Sequence, residues 1–147
     1  MKKYLAIILL LLTQPLMAQN LIMIRSKASF PEAMTVLQNS IIEHQYQLSR
    51  VQRVDIGLTK AGYKTDLYRV VFYGKNHEYQ KITENYPQLM AYLPLKLAIF
   101  SEGEETIVSA INPEYFTEMV DDEQTKIMFR RWANDMRSIM HDVQVAE

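Results

Sequence analysis

Cysteine is absent from all 147 residues. That absence excludes disulfide staples, thiolate catalysis, thiolate metal sites and attachment of a lipid through a lipobox cysteine, so packing alone has to hold the fold. Glycine and proline are scarce, with four and five residues. No Gly-rich phosphate loop, low-complexity linker or internal repeat can be read from them. Long apolar runs are missing too. Ala6 to Leu12 is an uncharged stretch of seven residues, far below the roughly 20 that a spanning helix needs.

What is present at the N-terminus suits export. Lys2 and Lys3 form a basic start, the apolar stretch follows, Pro15 breaks it, and Leu16-Met17-Ala18 puts a small residue before Gln19. This pattern predicts a cleaved signal peptide over residues 1–18 and a mature chain starting near Gln19. The remaining 129 residues are enough for one domain, residues 19–147, that buries about two thirds of its unfolded surface. Export without cysteine fits a bacterial periplasm better than a disulfide-stapled extracellular scaffold.

Removing Lys2 and Lys3 leaves fourteen basic against seventeen acidic residues, a net charge of −3 for the mature domain. Its only adjacent basic pair is Arg130-Arg131. No basic face is available to replace counterions around phosphates, which argues against nucleic acid as a partner.

Several elements can be read in order. Leu21 to Ile24 is a wholly apolar run, expected as a strand covered on both faces inside a sheet. Ser29 and Glu32 have capping-box spacing around Pro31, and Phe30, Ala33, Met34, Leu37 and Ile41 form one helical stripe. Gln47 to Ile56 reads as a strand with Leu48, Val54 and Ile56 on one face and Val51 out of phase, which predicts a bulge or a late strand start. Gly57 and Gly62 bracket a turn. Leu67 to Tyr73 is a strand ending at Gly74, Glu78 to Tyr86 a short helix stopped by Pro87, and Leu89 to Leu93 a further apolar segment. Leu95 to Phe100 and Thr106 to Ala110 flank Glu102-Gly103-Glu104 as a hairpin. Asp121 or Asp122 caps a last helix over residues 122–143, with Met128, Trp132, Met136, Ile139 and Val143 in its stripe. The expected fold is α+β: a mostly antiparallel sheet in strand-helix-four-strand-helix order, a short helical insertion before the fourth strand, and the helices on one face.

The segment Tyr92-Leu93-Pro94-Leu95-Lys96, followed by Leu97 to Glu102, the Gly103 hairpin and Ile111-Asn112-Pro113-Glu114-Tyr115-Phe116, resembles the domain of unknown function 302 family. With Asp55, Gly62 and the strand from Leu67 to Tyr73, the likeness covers residues 21–116. It implies the same strand-helix-four-strand-helix fold and carries no established activity. Two departures stand out. Phe72-Tyr73-Gly74-Lys75 replaces the family's usual Phe-Gly-Asn-Pro, and Ile56 follows Asp55 where a histidine often stands. A site that relied on those polar residues is damaged or absent here.

Chemistry-bearing residues are thin. His44, His77 and His141 share no metal-ligand spacing, so no metal and no cofactor is expected. Met119, Met128, Met136 and Met140 offer soft ligands for Cu(I), but Met136 and Met140 also continue a core stripe, and packing is the weightier reading. Glu104-Glu105 and Asp121-Asp122-Glu123 fall in a hairpin and at a helix start, where carboxylates have structural work, and no catalytic residue is assigned. Asp55, Lys96 and Asn112 remain as candidate ligand-binding residues at strand ends, against the simpler roles of turn caps and a snorkelling lysine. The expected function is a non-catalytic periplasmic domain that binds a small molecule or an envelope protein, with homodimer formation through an exposed strand edge. An envelope enzyme assembled only by folding is the alternative.

Overall fold

A computed structural model describes residues 20–146. The expected leader lies outside the described residues. Five strands, β1 (Leu21–Ser26), β2 (Gln47–Arg53), β3 (Tyr68–Gly74), β4 (Leu95–Glu102) and β5 (Glu105–Ile111), form one antiparallel sheet in the order β1-β5-β4-β3-β2. Helices α1 (Phe30–Glu43), α2 (Val54–Lys60), α3 (Asn76–Asn85) and α4 (Glu123–Gln144) complete it, with 3-10 turns at Pro87–Ala91 and Pro113–Met119. The α+β architecture and the strand-helix start are as expected.

Strand alternation divides the sheet into two faces. Val71, Tyr73, Leu95, Leu97, Ile99 and Val108 point to one face and are buried in the core with Leu37 and Ile41 of α1 and Trp132, Met136, Ile139 and Val143 of α4. The two long helices therefore lie side by side on that face. Ser40 Oγ donates to Asp142 across them at 2.6 Å. Local chemistry starts each one: the Ser29 N–H and hydroxyl both donate to Glu32 (3.0 and 2.6 Å), and Asp122 accepts from Thr125 N–H at 2.8 Å. The β4–β5 hairpin turns on Gly103, whose φ of +62° is open to glycine at little cost.

Three local expectations are corrected. β1 is not interior but an edge strand, covered on one face only, with Leu21 49% and Met23 50% exposed. An unbroken apolar run looks the same whether its second face meets helices or an uncovered apolar surface. The strand expected over Gln47 to Ile56 ends at Arg53, and Val54, Ile56 and Gly57 belong to α2. Short apolar runs fit both periods, and the ion pair of Asp55 with Arg69 anchors the helical one. The expected bulge is present, between Leu48 and Arg50, where it accounts for the phase of Val51. Leu89 is buried in a 3-10 turn that ends at Ala91, short of the apolar segment expected to Leu93.

Candidate functional site

The three candidate ligand-binding residues occupy different places. Asp55, in the first turn of α2, pairs with Arg69 of β3; the side chains are 14% and 12% exposed. Arg69 also lies over the Phe30 ring at 5.7 Å. The hydrogen bond from Arg69 holds the Asp55 carboxyl below its usual range, with burial opposing it. A shallow cavity of about 430 Å³ borders Asp55, Thr59, Lys60 and Asp66. Asn112 accepts from Glu114 N–H at 3.1 Å and caps the 3-10 turn that follows β5. Lys96 stands opposite Phe72 on the sheet face away from α1 and α4, because its neighbours Leu95 and Leu97 point into the core. Asp55 reaches Arg69 on the core-facing side, so the three do not converge.

A buried polar cluster lies where β3 and β4 meet α3 and α4. The Tyr79 hydroxyl donates to Tyr73 C=O and accepts from Leu95 N–H at 2.6 Å, bridging both strands. Only glycine fits at position 74, because a Cβ there would overlap the Tyr79 ring. Glu78 binds Arg131 and accepts from Trp132 Nε1 at 2.7 Å. The Tyr46 hydroxyl donates to Asp135 at 2.6 Å, and Lys75 Nζ sits 4.6 Å from the centre of the Tyr46 ring. Among the described residues nothing hydrogen-bonds the buried Tyr73 hydroxyl.

Burial drives all three phenols upward, reinforced at Tyr46 by Asp135 and opposed at Tyr79 by Leu95 N–H. They stay protonated and serve as donors and packing groups, not as bases. Nothing in the sequence pairs Glu78 with residues more than fifty positions away. The only signal was an abundance of tyrosine over Tyr79 to Tyr92.

The face of the sheet opposite α1 and α4 is the third candidate. One rung runs Met23, Ser109, Ala98, Val70 and Gln52 across all five strands; the next runs Arg25, Ile107, Phe100 and Tyr68. Met23, Leu21 and Ile111 are exposed, Ala98, Val70 and Phe100 half-buried, and Ile107 buried. Charge stays at the ends of this surface. Arg25 is held by Glu102 and Glu105 at 2.6 and 2.9 Å, while Lys96 and Arg50 flank Phe72 at the other end.

The family model described as "Domain of unknown function DUF302" matches residues 22–143, from the first strand to the last helix. The chain belongs to the DUF302 family. Among solved structures, an uncharacterized conserved protein DUF302 from Bacillus stearothermophilus superposes with a TM-score of 0.75 at 14% identity, covering 86% of this chain and 99% of that one. At that identity the likeness speaks for the fold alone. Among curated proteins none matches.

The DUF302 match extends past Phe116 to take in α4, so the helix that covers the sheet belongs to the family domain. The two departures from the DUF302 pattern now have positions. Ile56 lies in α2 beside Asp55, and Lys75 precedes α3, next to a cavity of about 520 Å³ that Gln47, Asn76 and His77 also line. At this second place Tyr79 fills the space over Gly74. Met136 and Met140 are buried in the core, where thioether packing accounts for both.

Proposed function

We propose that this chain is exported to the periplasm through a leader over residues 1–18 and acts there without catalysis, docking a protein partner on the uncovered face of its sheet. One observation carries the reading: a five-stranded antiparallel sheet has both long helices on one side and an apolar surface with charges only at its ends on the other. The largest apolar patch on a soluble protein is often an interaction surface, and an uncovered sheet face of this composition suits one. Support against catalysis comes from the polar groups themselves. Asp55, Glu78 and Asp135 are each engaged by a side-chain partner, and the buried phenols are held protonated.

A small polar ligand is the second reading, supported by the cavity beside Asp55. A thermal-shift screen over polar metabolites, repeated with Asp55→Ala and Lys60→Ala, which border that cavity, checks it; no response in any protein counts against it.

The docking reading is tested in cells with a photo-crosslinking residue in place of Ala98, on the open face, and of Asn134, exposed on α4. Periplasmic fractionation and intact mass should show a chain beginning near Gln19. Adducts are expected from position 98 and not from 134. A chain that stays in the cytoplasm, or equal crosslinking at both positions or at neither, removes the reading.

A further inference from the structure

The geometry points to a second copy of this chain as the occupant of the open face, stacked sheet on sheet about a two-fold axis perpendicular to the strands. The inference rests on the docking reading above and names its partner. Charge distribution chooses both the occupant and the axis. Arg25, Glu102 and Glu105 form one cluster carrying a net negative charge at the hairpin end of the face. Lys96 and Arg50 supply positive charge at the other end, and the rungs between hold Met23, Ala98, Val70 and Phe100.

β4 is the central strand of five, with two strands on each side. An axis crossing it at right angles near Ile99 lays β4 over β4 and brings Lys96 of each copy to Glu102 of the other. Six residue steps along the strand separate these two charges, about 20 Å, which leaves room for the apolar rungs between them. A two-fold along the strands would instead set Lys96 against Lys96 and the acidic cluster against itself. Like charges so placed are repelled, so the perpendicular axis is favoured.

The extent suffices as well. Five strands at about 4.8 Å spacing and about 20 Å of length give a footprint near 500 Å² per copy, and about 1,000 Å² in total. That reaches the size at which specific interfaces begin. Isologous contacts of this kind are the commonest way soluble chains pair, and stacked sheets pack with their strands about 30° apart.

The test is the mass of the full, host-processed chain by size exclusion with light scattering, together with Lys96→Glu and Glu102→Lys. The unaltered chain is expected at twice the mass of one chain. Each reversal alone should dissociate it, because each leaves like charges in register. Mixing the two single variants should restore a dimer, since every contact then joins opposite signs. Lys96 and Glu102 lie outside the core, and circular dichroism of each variant should be unchanged.

A monomer at all concentrations overturns the inference, and so does a dimer that mixing fails to restore. A dimer untouched by either reversal would place the contact elsewhere, such as the β1 edge, and overturns it equally. Failure here is separable from failure of the docking reading. A monomer whose position 98 still crosslinks to a different protein loses the second copy but keeps the docking face.

Discussion

Replacing Gly74 by alanine should be costly only while Tyr79 is present. In a strand, with φ outside the left-handed region, Gly→Ala would ordinarily stabilise by about 0.5–1 kcal/mol through the unfolded chain. Here the new methyl would occupy the space of the Tyr79 ring. The ring has to move, giving up hydrogen bonds to Tyr73 C=O and Leu95 N–H at about 1 kcal/mol each. It also loses an edge-on contact with Trp132, centroids 5.8 Å apart, worth about 0.5–1.5 kcal/mol. Local strain of about 1–3 kcal/mol adds to these. A net loss of about 3–6 kcal/mol, or about 10–20 °C in Tm, is expected for Gly74→Ala. In a Tyr79→Ala background the same change should be neutral or slightly stabilising. Urea unfolding followed by fluorescence of Trp132, the single tryptophan and 1% exposed, and by circular dichroism gives both legs of the double-mutant cycle. An equal cost in the two backgrounds, or none in either, would refute the placement of Tyr79 over Gly74.

Asp55→Asn should destabilise by about 1.5–3 kcal/mol at pH 7, because Arg69 keeps its charge and loses its partner. The folded carboxyl lies below its unfolded value near 3.9, so the pair's contribution is present above that pH and disappears as acid protonates the folded group. Urea midpoints of the two proteins should draw together as the pH falls below that unfolded value; a constant gap would contradict the pairing. Asn112→Ala should cost about 1 kcal/mol as a lost cap, and a calorimetric scan showing no change would mean that Glu114 N–H finds another acceptor. Met136→Leu should cost under about 1.5 kcal/mol and Met136→Ala about 2–5 kcal/mol, the signature of a core filler. A Cu(I) competition titration in which Met136→Leu abolishes tight binding would speak for metal ligation instead.

How much of this was legible depended on whether a residue's partners are close in sequence. Ser29 with Glu32, Gly103 between two strands, and Asp122 before Thr125 all act within three residues, and each marked its element correctly. The α4 stripe was readable because one face of a long helix repeats over many turns. β1 misled because Leu21 and Met23 face an uncovered apolar surface and Ile22 and Ile24 face the core, so no alternation shows. Val54 to Leu58 misled because a seven-residue helix with no buried residue leaves little periodicity to read. The Tyr79, Glu78 and Tyr46 contacts join segments tens of residues apart, and no spacing rule reaches them. Lys96 was singled out for its motif, yet its place on the open face follows only from its register opposite Phe72.

The uncovered face is the centre of the account, and methyl-resolved NMR over a range of protein concentrations addresses it most directly. Met23, Ala98 and Ile111 methyl signals should shift progressively as concentration rises, while those of Ile42 and Ile127, exposed on α1 and α4, should not. Shifts confined to Ile42 and Ile127, or no shifts up to millimolar protein, would contradict pairing of two copies through that face.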